Sequence, residues 1–112
     1  MNLDWALNFN SAITVCDKNG IIIYMNEKAG KTFEKWGGRE LIGSSLFNCH
    51  NEHSVLAIKE LIKTGSSNSY TIEKNGLKKI IHQAPWFENE NCAGLVEISI
   101  EIPFEMAHFI RS

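Results

Sequence analysis

A chain of 112 residues is the size of one compact domain, and 44% hydrophobic with 21% charged residues is the mixture of an ordinary globular protein rather than a disordered or fibrous one. A formal net charge of -2 with no run of Lys or Arg lacks the electrostatic footprint of a binder of nucleic acids or anionic membranes, so neither is expected as a partner. The first residues lack the basic start and apolar run of a secretory signal, and no stretch is long enough to span a bilayer, which leaves the cytoplasm as the expected compartment.

Residues 1–10 read as a leading helical segment, with Leu3, Ala6 and Leu7 on one side and Trp5 nearby. Ala12 to Cys16 and Ile21 to Met25 are two β-rich runs around the Asn19-Gly20 turn, which predicts a hairpin. The second run is apolar at every position, so both its faces are expected to be covered, one by the core and the other by a helix or a second subunit. Asn26 is placed to cap the segment from Glu27 to Phe33, and Gly37, Gly38 and Gly43 break the next stretch into short helical pieces.

Glu52 to Thr64 is the main predicted helix, with Val55, Ile58 and Ile62 at helical spacing, Asn51 as N-cap and Gly65 as the stop. Tyr70 to Glu73, Leu77 to Trp86 and Leu95 to Ile102 read as three more strands, and residues 103–112 as a C-terminal tail. No repeat or interdomain linker is visible, so residues 1–112 are expected to form a single domain. Strands on both sides of a helical block predict an α+β fold: a five-stranded antiparallel sheet with the helical block packed on one face.

The run Asp17-Lys18-Asn19-Gly20-Ile21-Ile22-Ile23-Tyr24-Met25-Asn26 is a D-x-x-G hairpin followed by an apolar strand and an Asn that caps the next helix. That run resembles the PAS family; Gly38 to Phe47 is similar to the family's short helix and G-x-x-L segment, and Gly94 to Ile100 to its closing strand. Phe47-Asn48-Cys49-His50 is similar to a segment of one bacterial PAS subgroup. The resemblance covers most of the chain from Phe9 to Ile102, and it implies a pocket between sheet and helices that holds haem, flavin, a carboxylic acid or nothing. It also implies signalling through dimer contacts to an output domain, which here would belong to a separate protein.

The strand and helix positions expected to face that pocket are Ile23, Met25, Phe33, Leu46, Ile58, Ile80, His82 and Ile98. His82 alternates with Ile80, Ala84 and Trp86, which makes it the candidate polar contact if that face is the pocket, and an outer-face residue if the register is shifted by one. In the last strand Val96, Ile98, Ile100 and Ile102 form an apolar stripe expected to be core, with Glu97 and Glu101 on a solvated face.

Cys49, His50 and His53 are candidate ligands for zinc or haem iron, without a further ligand at a recognised spacing. The odd, widely spaced set Cys16, Cys49 and Cys92 fits neither a disulfide framework nor a CxxC zinc site and reads as reduced thiols. No phosphate loop or nucleophile–base frame is present, so an enzyme is not expected.

The function expected is a sensory module that binds a small ligand or partner protein. The cofactor is left unknown, with a haem- or metal-binding redox or gas sensor and a ligand-free dimerisation adaptor as alternatives. A homodimer is expected because Phe104, Phe109 and Ile110 make the tail too apolar to remain solvated.

Overall fold

Each half of the chain contributes strands to one sheet because its β-rich runs are bounded by turn residues that reverse it. The computed structural model describes residues 4–49 and 51–112. A short helix α1 (Asp4–Leu7) leads into the hairpin β1 (Ala12–Asp17) and β2 (Ile22–Met25). The helix α2 (Glu27–Thr32) follows, then single 3-10 turns at Glu34–Trp36, Gly38–Leu41 and Leu46–Cys49. The helix α3 (Glu52–Thr64) precedes β3 (Asn68–Lys74), β4 (Leu77–Glu88) and β5 (Asn91–Ile102). All strand pairs are antiparallel, in the spatial order β2-β1-β5-β4-β3.

The caps form as their residue types dictate. Asn26 Oδ1 accepts from Ala29 N, and Asn51 Oδ1 from Ser54 N, each satisfying a donor of a helix first turn. Gly65 ends α3 in the left-handed conformation. Asn26 does more than cap: its Oδ1 also accepts from Ile13 N, and its Nδ2 donates to the carbonyls of Ala6 and Ser11. This wholly buried amide thereby ties α1, the start of β1 and α2 together.

The free edge of β2 is covered by the loop before Leu46. Ile22 N donates to Ser44 O, Gly43 N to Ile22 O, and Leu46 N to Gly20 O. Such cover removes an exposed template for strand addition. At the far end of the sheet Trp86 Nε1 donates to Cys16 O at 3.0 Å, across the backbone of Gly94. An added Cβ at Gly94 would stand 1.9 Å from that same carbonyl oxygen, so only glycine fits between β1 and Trp86.

The core lies between the sheet and the helical block. Ala12, Cys16 and Leu95 from β1 and β5 cluster there with Ile22, Met25, Ala29, Leu46 and Ile58, and with Phe33, Leu41, Leu61 and Ile62 against them. The register pairs Ala12 with Ser99, Thr14 with Glu97 and Cys16 with Leu95, so these six share the helix-facing side.

The last strand is therefore inverted relative to the sequence-based expectation. Val96, Ile98 and Ile100 lie on the face away from the helices, with Ile13 and Val15, and Ile100 is 39% exposed. Glu97 and Ser99 point at the helical block instead. Likewise, β2 is not covered on both faces at every position: Ile22 and Met25 are buried, whereas Ile23 is 46% exposed.

Candidate functional site

Polar side chains aimed at the helical side of a sheet need partners, and β4 and β5 supply one pair directly. Gln83 and Glu97 are opposite one another in the β4–β5 register, and Gln83 Nε2 donates to Glu97 Oε2 at 3.0 Å. Gln83 is buried and Glu97 half-buried. On the other side of Glu97 stands Thr14 of β1, also buried. Tyr70 of β3 is paired with Ile81 and faces the same way, beside Gln83 on the neighbouring strand.

Two clefts open over this polar strip. The first, of about 190 Å³, has Thr14, Glu97 and Ser99 on its floor, Thr32 and Phe33 on the α2 side, and Tyr70, Lys74, Lys79 and Ile81 along the β3–β4 side. The second, of about 310 Å³, lies between His53, Ser54, Ala57 and Ile58 of α3 and the sheet residues Asn68, Tyr70 and Gln83. They meet at Tyr70 and are bridged underneath by the Gln83–Glu97 bond. Deeper in, Cys16, Phe33, Leu46 and Leu95 enclose about 10 Å³, room for roughly one water.

The electrostatics follow from this placement. Tyr70 is 44% exposed, and the partial burial that remains, with the charge of Glu97 adding to it, pushes its phenol above its ordinary value, so Tyr70 remains a neutral hydrogen-bond donor. Burial pushes the Cys16 thiol up as well, reinforced by the negative groups Asp17 and Glu97 against an opposing backbone hydrogen bond from Leu95. A thiol held neutral is a core group rather than a nucleophile.

The structure brings together four of the expected pocket residues and separates the others. Met25, Phe33, Leu46 and Ile58 belong to or pack on the core beneath the clefts. Ile80, His82 and Ile98 lie on the opposite face of the sheet, because His82 pairs with Ile98 one step out of phase with the Gln83–Glu97 pair. His82 is exposed there, its Nδ1 at 2.6 Å from Ser69 Oγ. Ile23, exposed on the edge strand, lies in a shallow depression with Trp86 at the sheet's other end.

Sequence reasoning did not single out Gln83, Thr14 and Tyr70, and it placed Glu97 on a solvated face. Their signal was present as polar residues in strands that also carry an apolar stripe, and it pointed the wrong way because apolar residues are expected inward.

His50 lies outside the described residues, and of Cys49 only the backbone is described. His53 is exposed and lines the rim of the α3 cleft. Among the described residues no three His, Cys, Asp or Glu side chains converge as metal ligands. Cys16 and Cys92 are free thiols. No helix among the described residues is long and apolar enough to cross a membrane.

The architecture has clear counterparts among solved structures. The PAS domain of the histidine kinase ThkA superposes with a TM-score of 0.66 at 15% identity, over 80% of this chain and 96% of that one. A PAS domain from Colwellia psychrerythraea superposes with a TM-score of 0.64 at 21% identity, over 87% and 91% of the two chains. The fold is that of a PAS domain. VqmA, solved bound to DPO, shares this PAS fold with a TM-score of 0.71 at 15% identity, over 89% of this chain and 56% of VqmA. No protein-family model matches the sequence, and no curated protein does.

Proposed function

We propose that this PAS-fold chain is a sensory signalling module that holds a small molecule between α2, α3 and the sheet. One observation carries the reading: the Gln83–Glu97 pair lies on the helix side, beneath two adjoining clefts, with one carboxylate oxygen and the Gln83 carbonyl left without a hydrogen-bond partner among the described residues. Unspent hydrogen-bonding capacity is costly in a sealed core and useful in a binding site. VqmA, which contains the same fold and was solved with DPO bound, is a precedent for ligand binding.

The cleft is assigned binding rather than turnover, because its hydrogen-bonded pair is an amide and a carboxylate, neither of which activates a nucleophile for the other. A ligand seated there touches β3, β4, β5 and α3 together and biases how the helices sit on the sheet. The apolar outer face, with Ile80, Ile98 and Ile100, is the surface through which a second copy or a separate output protein reads that shift, inside the cytoplasm.

Thermal unfolding against a library of metabolite-sized compounds tests the reading. A ligand at a hundred times its Kd stabilises by about 2.7 kcal/mol, a shift of several degrees in a domain of this size. The expected result is at least one stabilising compound whose effect is lost in the Gln83→Leu/Glu97→Leu double variant. Compounds that stabilise both proteins equally refute the cleft as the site. A Soret or flavin band in the absorption spectrum of the purified protein replaces the organic ligand with a cofactor.

A further inference from the structure

The cleft beside α2 carries charges of both signs, and they are sorted along its length. At the floor, Glu97 is half-buried and has no ion-pair partner among the described residues; its bonded neighbour is the neutral Gln83 amide. Thr14, Ser99 and Tyr70 surround it with hydroxyls only. A half-buried carboxylate without such a partner is bound well by a cationic N–H donor that brings its own charge.

At the other end are Lys74 and Lys79, and neither has an ion-pair partner among the described residues. Glu101 stands directly across from Lys79 in the β4–β5 register, but its carboxylate is turned to Lys28 at 3.9 Å. Between these ends the walls are Phe33, Ile72 and Ile81.

The spacing follows from the strands. Lys79 lies four residues from Gln83 on β4, about 13 Å along a strand, and Gln83 is level with Glu97. The side chains of Glu97 and Lys79 both project over the same floor and span part of that distance. What remains suits a short apolar linker with a charged group at each end.

Resting on the reading of this cleft as a ligand site, we propose that its occupant is a small zwitterion: an ammonium end bound by Glu97, an apolar middle against Phe33 and Ile81, and an anionic end bound by Lys79 and Lys74. A plain amine meets the two lysines on the way in and gains nothing from them. A plain carboxylate gains the lysines and is repelled by Glu97. Only a molecule with both charges, in the right order, is favoured at both ends.

The test is a titration of the isotope-labelled full chain, followed through its amide NMR spectrum, with 4-aminobutyrate, 5-aminopentanoate and 6-aminohexanoate. Butylamine and butyrate are the single-charge controls. The expected result is that at least one ω-amino acid shifts the resonances of Thr14, Gln83 and Glu97 and binds tenfold or more tightly than either control. Glu97→Gln, which retains shape and a hydrogen bond to Gln83, weakens that binding tenfold or more. Lys79→Met weakens the ω-amino acid severalfold and does not weaken butylamine.

Binding of butylamine or butyrate as tight as that of all three ω-amino acids, or silence of the cleft towards all three, overturns the zwitterion. A mixture of other metabolites that shifts the same resonances in the second case sinks the zwitterion and leaves the ligand site standing. Silence towards that mixture sinks both.

Discussion

Gln83 donates to Glu97 across the β4–β5 ladder at 3.0 Å, and this single bond occupies the place on the helix side of the sheet where an apolar contact would ordinarily sit. A hydrogen bond to a charged group contributes about 1.5–3 kcal/mol, and a carboxylate stripped of it in a half-buried position bears the desolvation cost. Gln83→Ala is therefore expected to lower the free energy of unfolding by about 2 kcal/mol, read from urea denaturation with an unchanged m-value. A loss below a few tenths would show that the pair is solvated and not part of a desolvated floor.

Asn26 makes four hydrogen bonds with its amide, to Ile13 N, Ala29 N, Ala6 O and Ser11 O, and is wholly buried. Asn26→Ala strands several of these backbone groups at once, each at about 1–3 kcal/mol. We expect a loss of more than about 3 kcal/mol. Asn26→Asp should recover only part of it, since a carboxylate cannot donate to the two carbonyls. Equal stability of the Asp variant and the wild type would contradict the arrangement.

Gly94 has no room for a side chain, with Cys16 O at 1.9 Å and Trp86 Nε1 at 2.7 Å from a Cβ placed there. Gly94→Ala must push β1 away from β5 or break the Trp86–Cys16 bond, a cost at or above the roughly 1–3 kcal/mol of ordinary overpacking. Gly76→Ala, whose Cβ would meet nothing within 4 Å among the described residues, is the comparison: its left-handed backbone is what resists the change. Circular dichroism melts of the two variants should rank Gly94→Ala far below Gly76→Ala.

The Cys16 thiol gives the stability a dependence on alkaline pH. Burial raises its pKa in the folded state above the ordinary 9.0, so the folded protein holds the proton more tightly than the unfolded chain does. The stabilisation is fully present below pH 9.0 and is lost as pH climbs through the raised value. Tyr70 acts in the same direction above its ordinary 10.0. Cys16→Ala should flatten the first part of this alkaline decline in urea midpoints measured from pH 8 upwards, a range set by the ordinary cysteine value. An identical slope in the variant would remove Cys16 as its source.

His82 and the tail probe the other side of the sheet. His82→Ala touches an exposed residue whose bonded partner is Ser69, so its stability should stay within about 0.5 kcal/mol of wild type. Phe104, Met106, Phe109 and Ile110 are all more than half exposed, and fully burying one such side chain contributes about 1.5–3 kcal/mol. Light scattering is expected to give a dimer for the intact chain and a monomer for a chain ending at Ile102. A monomeric intact chain at micromolar concentration removes the dimer, and a dimer that survives truncation clears the tail.

Much of the fold was legible in the sequence because its signals are local. Asn26 and Asn51 announce helix starts, Gly65 a stop, and Asn19-Gly20 a reversal, and each is a conformational preference of one or two residues that survives in any context. Asn26 also shows where local reading ends: its cap on Ala29 lies three residues away, whereas its bonds to Ala6 and Ser11 span 20 and 15 residues and exist only once α1 and β1 are in place.

The candidate site was not legible in the same way. Alternation sorts β5 into Val96, Ile98, Ile100 on one side and Leu95, Glu97, Ser99 on the other, and hydrophobicity alone turns the first set inward. Tertiary register turned in the second, since Leu95 and Cys16 are paired under the helices and every second residue must follow them. A strand of period two carries no mark of which face the helices will cover, so the sequence determined the two sets, and only the packing of α2 and α3 on the sheet decided that the Glu97 side became the floor of the cleft.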